Sequence, residues 1–188
     1  SELQYRQLVE LMQEGLAVHD TNNITTYVND KLSEMLGYTR DELIDHPITD
    51  FMDDDNASLV REQVKRRQDG QSTKYELTFM HKHGYPVYVL MASTPIVEDD
   101  KSIKGSFSVI TDITEQKNIE QALRNSEARI RLYTDNLPLM LCYIGRDEKV
   151  HFSNKAYNQF IGKTREQIQN VSIHTLFDDI QFKDREGH

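Results

Sequence analysis

Histidine, cysteine and clustered carboxylates are the side chains of this 188-residue chain that could do chemistry, and their spacing limits which. His81-Lys82-His83 puts two imidazoles near each other at a hairpin. A metal needs three or four suitable ligands, and no cysteine or carboxylate cluster adjoins this pair, so a solvated turn is expected and no metal site is predicted. His19, at a strand end, and His46, before Pro47, stand isolated; lone histidines are more often structural than functional. Cys142 is the single cysteine, which excludes an internal disulfide framework and a multi-cysteine zinc site. The acidic triplets Asp53-Asp54-Asp55 and Glu98-Asp99-Asp100 read as a helix start and an exposed loop rather than as cation sites. The 8 glycines are scattered, with no phosphate-binding loop, and no G-x-S-x-G elbow presents a serine nucleophile. No catalytic residue is assigned. Without a phosphoacceptor helix or an ATP-binding motif, the fragment is not expected to phosphorylate anything itself.

The composition narrows the partners. Lys and Arg number 22 against 31 Asp and Glu, a formal net charge of −9. Phosphate binding is driven by basic patches, so no nucleic-acid partner is expected. Apolar residues make up 37%, lean but sufficient for a core. No run approaches ~20 apolar residues, so no segment is predicted to span a membrane. The chain opens Ser1-Glu2-Leu3-Gln4 with neither an initiator Met nor a signal peptide, which predicts a segment of a longer protein. A reducing, cytoplasmic compartment fits a lone thiol, although the parent could be membrane-tethered.

The elements that must position any site come twice. Sliding the sequence by 125 residues sets Asn29 on Asn154, Gly37 on Gly162, Thr39-Arg40 on Thr164-Arg165, Ile48 on Ile173 and Asp53-Asp54 on Asp178-Asp179. Two copies of one domain type are expected, the second stopping about halfway. Residues 126–188 hold 9 basic and 9 acidic side chains, so the whole −9 belongs to residues 1–125.

In the first copy, Leu8, Leu11 and Met12 have helical spacing, and Gly15 is expected to end that helix. Leu16–His19 and Ile24–Val28 read as a hairpin of strands around Asp20-Thr21-Asn22-Asn23. Asn29 or Asp30 caps a helix burying Leu32, Met35 and Leu36, closed by Gly37. Thr39 with Glu42 forms a capping box. A longer helix from Asp53 to about Arg67 turns Leu59, Val60, Gln63 and Val64 inward, with Lys65-Arg66-Arg67 complementing its dipole. Three strands follow: 74–80, with Tyr75, Leu77 and Phe79 on one face; 85–93; and 104–111, with Phe107 and Val109 on one face. Strands and helices segregated in this way mean α+β, a five-stranded antiparallel sheet with short helices over one face.

This order, together with Tyr27-Val28-Asn29, Gly37-Tyr38-Thr39-Arg40-Asp41-Glu42-Leu43-Ile44 and Asp112-Ile113-Thr114-Glu115, resembles a PAS domain of the S-box type. The resemblance implies a PAS fold over 1–115 with an N-terminal helix, a connecting helix over 116–135, and a truncated second PAS over 136–188. It implies a sensory or interaction module upstream of an output domain, commonly a histidine kinase, and a homodimer formed through the N-terminal helix and sheet. Haem-sensing relatives place a ligating His on the long helix; residues 53–70 hold none, which argues against haem. Flavin photosensors need a reactive Cys on the short-helix segment; residues 30–60 hold none, which excludes covalent flavin in the first copy. By family position, Phe51, Met52, Leu59, Gln63, Tyr75, Leu77, Phe79, Val89, Met91, Phe107 and Val109 would line the interior. They could hold a small ligand or simply fill a core, and no convergent charge marks a particular one.

Asp112-Ile113-Thr114-Glu115 reads physically as a cap between strand and helix, Glu115 at the capping-box position. By the resemblance it is a junction passing sheet strain into the exiting helix. Along that helix Ile119, Leu123, Ser126, Ile130 and Tyr133 recur at 4, 3, 4, 3, one seam at coiled-coil spacing. The helix either pairs with a second copy or packs on its own domains. The expected function is therefore a sensor region that detects a small molecule or partner and relays it through Asp112, Ile113, Thr114, Ile119, Leu123 and Ile130. The alternatives are a ligand-free dimerisation scaffold, or the PAS region of a diguanylate cyclase or transcription regulator.

Overall fold

The computed structural model describes residues 12–177. The helix expected around Leu8 and Leu11, and the pair Asp178-Asp179, lie outside them. The chain divides into two compact units, the first ending at Ile119 and the second beginning at Glu120.

The first unit runs β1 (Gly15–His19), β2 (Thr25–Val28), α1 (Asp30–Leu36), α2 (Arg40–Leu43), a 3-10 turn (Ile48–Phe51), α3 (Asp54–Gln68), β3 (Thr73–Met80), β4 (Pro86–Val97) and β5 (Ile103–Asp112). The strands form one antiparallel sheet in the order β2-β1-β5-β4-β3. This is the α+β architecture expected. The helical segments cover one face, where Leu32, Leu36, Leu43, Ile48, Phe51 and Val60 meet Ala17, Val28, Leu77, Phe79, Val89, Met91 and Ile110.

Local chemistry sets the helix ends. The Asp53 carboxylate accepts from the Asn56 N–H at 2.8 Å and caps α3. Thr39 and Glu42 close their capping box around α2. Gly37 ends α1 at φ 73°, where a Cβ would be strained and would also overlap the His81 imidazole. His81 is therefore buried and stacks on Tyr85 at 4.1 Å, so the turn expected to be solvated is anchored at its first residue.

Three expectations are corrected. Gly15 opens β1 instead of ending a helix; Leu32 packs against it at a distance that leaves a Cβ no room. β4 continues past Ser93 to Val97, because its pairing with β5 persists to Val97 and Ile103. Phe107 and Val109 do not line the interior. Register puts Phe107 beside Val18 and Val109 beside Leu16 on the opposite face, and Phe107 is 37% exposed. Strand alternation then sends Ser106, Ser108 and Ile110 inward.

The second unit repeats the first half of this plan: β6 (Cys142–Ile144) paired with β7 (Val150–Ser153), then α5 (Lys155–Ile161) and α6 (Arg165–Ile168). Val150, Ile161, Ile168 and Leu176 form its core. α4 (Thr114–Asp135) leads from the first unit into the second.

The repeated asparagine does the same work in both. The buried Asn29 amide oxygen accepts from the Leu16 N–H at 2.8 Å and the Leu32 N–H at 3.1 Å, and its amide nitrogen donates to the Glu14 carbonyl at 3.0 Å. Asn154 accepts from Leu141 and Tyr157 at 2.9 and 3.1 Å and donates to the Thr134 and Leu139 carbonyls. Replacing Asn29 by Ala should cost roughly 2–4 kcal/mol, since backbone donors lose their acceptor. The measurement is the urea midpoint of Asn29→Ala; a loss within the error of an exposed substitution would refute this role.

Candidate functional site

The interior beneath α3 brings together nine of the eleven residues expected to line it. Leu77, Phe79, Val89, Met91 and Phe51 are buried there, Tyr75, Met52 and Leu59 pack against them, and Gln63 is buried on the inner side of α3. Phe107 and Val109 stay on the other face.

Where those two were expected, the interior is polar. Thr73, Ser93, Ser108 and Ala17 are register partners across four strands, and His19 is the partner of Ser106 in the next row. Ser93, Ser108, Ser106, Thr73, His19 and Thr25 are all buried. The Ser93 and Ser108 hydroxyls lie 2.7 Å apart, and Thr25 Oγ1 is 3.4 Å from His19 Nδ1. Over this band α3 lowers Gln63 and, one turn on, Arg67. Arg67 Nη1 donates to Thr73 Oγ1 at 3.2 Å. Burial raises the Tyr75 phenol, against the Arg67 guanidinium hydrogen-bonded to it. Burial first, then the Arg67 charge, push the His19 imidazole down to about 4, against the pull of Asp20.

Sequence reasoning named Gln63 and Tyr75 but missed Arg67, which read as one of three cations at a helix end. Its phase was the available signal: Ala57, Val60, Gln63 and Arg67 share one buried stripe, whereas Lys65 and Arg66 face outward.

The junction after β5 is tied to the sheet through one residue of β4. The Ile113 N–H donates to the Tyr88 carbonyl at 2.9 Å, and Thr114 Oγ1 accepts from the Tyr88 N–H at 3.0 Å. The Asp112 carboxylate accepts from the Thr114 N–H at 2.8 Å, while Glu115 returns no capping hydrogen bond among the described residues. Lys117 pairs with Glu76 of β3 at 2.6 Å. Beyond this first turn α4 buries no residue; Ile119 is 62% exposed, and Leu123, Ile130 and Tyr133 are similarly open.

Among the described residues no group of three or more His, Cys, Asp or Glu side chains could hold a metal ion, and no helix is long and apolar enough to cross a membrane.

A family model described as a PAS domain matches residues 13–115 and again 138–188. Sporulation kinase A of Bacillus subtilis is 24% identical over 172 residues, covering 90% of this chain and 28% of the relative. The chain thus spans little more than a quarter of that protein. The PAS domain of a Colwellia psychrerythraea protein superimposes with a TM-score of 0.56 at 18% identity, over 61% of this chain and 99% of the other. A domain of a sensory box sensor histidine kinase/response regulator from Geobacter sulfurreducens gives 0.51 at 20% identity, over 59% and 93%. These two likenesses are of fold.

The depressed His19 predicts an acid-sensitive interior. Above its ordinary value of 6.5 both folded and unfolded chains leave it neutral, and its contribution is complete. As pH falls from there towards about 4, only the unfolded chain takes up the proton, so stability is lost. Across that window the wild type should lose about 1 kcal/mol more per pH unit than His19→Gln. Urea melts at several pH values read the difference; parallel slopes would disprove a buried neutral imidazole.

Proposed function

The chain belongs to the PAS domain family, a sensory rather than a catalytic fold, and we propose that it is the sensor region of a signalling protein whose output is a histidine kinase. On this reading residues 1–115 form the detecting domain, 116–135 the connecting helix and 136–188 the second PAS domain. The first domain takes up a small molecule or a partner and hands its state to α4 through Asp112, Ile113 and Thr114. The lone Cys142, a free thiol, supports a cytosolic setting.

The observation that carries the proposal is the clamp on Tyr88. Ile113 and Thr114 both bond its backbone, so the first turn of α4 cannot move independently of β4. The same strand sends Val89, Met91 and Ser93 into the interior. A ligand or partner that repacks the interior therefore shifts the strand that holds the helix. Packed interfaces switch between discrete arrangements, which suits a relay. The open seam of Ile119, Leu123 and Ile130 supports a homodimer in which two such helices pair, each reporting to its output domain.

The test is phosphotransfer by the full-length parent carrying Asp112→Ala with Thr114→Ala. A coupling of ordinary size should change the autophosphorylation rate by about 5-fold or more. A rate and a signal response identical to the wild type would defeat the relay.

A further inference from the structure

From Asn118 to Tyr133 every residue of α4 is exposed, whereas its last two, Thr134 and Asp135, are half-buried. Both are bonded to the second domain. The Asn154 amide donates to the Thr134 carbonyl at 2.8 Å. The Asp135 carboxylate accepts from the Lys155 N–H, at the start of α5, at 2.7 Å. It also accepts from Arg165 Nη2, at the start of α6, at 3.2 Å through each of its oxygens. The same guanidinium reaches the Ser153 carbonyl at the end of β7 at 3.5 Å. One carboxylate thus ties the end of α4 to two helices and, through Arg165, to a strand, all within the second unit.

The first copy builds this corner differently. Arg40, the counterpart of Arg165, pairs at 2.7 Å with Asp30, the first residue of α1. In the second copy Lys155 stands at the Asp30 position, so α5 offers no acid there and the carboxylate comes from α4. The position matching Asp135, Glu10, lies outside the described residues. The Arg165 and Asp135 side chains are 23% and 28% exposed, against 37% and 66% for Arg40 and Asp30, so water screens the second pair less. Arg165 Nε is buried with no partner among the described residues. Removing Asp135 therefore strands a cation that is already short of acceptors.

We propose that Asp135 is the positioning residue through which α4 passes its displacement to the second domain, by holding α5 and α6 on one carboxylate. A helix exposed over the preceding 16 residues, 118–133, has its purchase on this domain at its end. When α4 turns or slides, the carboxylate draws the Lys155 N–H and the Arg165 fork with it. The inference rests on the relay reading above and names where the relay arrives.

The difference between the copies supplies the test. Asp135→Ala removes both side-chain bonds. Adding Lys155→Asp returns an acid to the place it holds in the first copy, beside Arg165 but detached from α4. In the 188-residue chain, amide hydrogen exchange in α5 and α6 should quicken by about 10-fold or more in Asp135→Ala, as loss of a hydrogen bond to a charged group does. It should return towards the wild-type rate in the double variant. In the full-length parent the double variant should nonetheless change autophosphorylation by about 5-fold or more, and adding Asp112→Ala with Thr114→Ala should change it no further. A carboxylate that only stabilises the fold predicts exchange and autophosphorylation restored together, and that result would overturn the inference. Unaltered exchange in Asp135→Ala would overturn it too. If Asp135→Ala leaves the second domain unfolded, Asp135→Asn, which keeps an acceptor for the Lys155 N–H but not the ion pair, is read in both assays. Wild-type autophosphorylation in the Asp135 variants beside an altered rate in the junction variants removes this inference and leaves the relay standing; a wild-type rate in both removes both.

Discussion

A buried amide holds the topology of the first domain together. Asn29 joins the entrance of β1 to the first turn of α1, satisfying a strand N–H, a helix N–H and a carbonyl that would otherwise be stranded away from water. β1 lies between β2 and β5 and pairs with both. With that strand fixed, the register of the sheet decides which residues face the helices. The repeat over 125 residues preserves this knot at Asn154, bond for bond in its two accepted N–H groups. What the two copies share most clearly is thus a hydrogen-bonding device rather than a hydrophobic pattern.

From that strand the interior follows. β1 delivers Ala17 and His19, β5 delivers Ser106, Ser108 and Ile110, and α3 crosses above with Gln63 and Arg67. The result is a core with two characters. Around Leu77, Phe79, Val89 and Met91 it is apolar and supplies the stability; around the serines it is polar and carries a charge. β4 borders both and, through Tyr88, also holds the start of α4. A strand whose residues alternate between two faces is a natural place for the inside of a domain to meet its exit.

The helix boundaries were legible in the sequence because caps are local. Asn29, Gly37, the Thr39–Glu42 box and Asp53 each act within a few residues of themselves. The facing of β5 was not. Alternation places Phe107 and Val109 on one face, but it does not say which face meets the helices; taking the apolar face as inside failed because here the inside is lined by serine. Arg67 was hidden by a reading that was sound for its neighbours, since Lys65 and Arg66 do complement the helix end. His19 looked isolated because its companions, Thr25, Ser106 and Arg67, reach it only through folding.

The polar half of the interior also bears on where the domain is least stable. Regions that change state are drawn from the less stable parts of a fold, because a tightly packed apolar core resists rearrangement. An unneutralised guanidinium lowers the stability of its own surroundings. Arg67 donates to Thr73, the register partner of Ser93, and Ser93 lies on the strand that grips α4 through Tyr88. The polar band and the start of α4 are thereby joined on one strand, with the apolar core on its other flank.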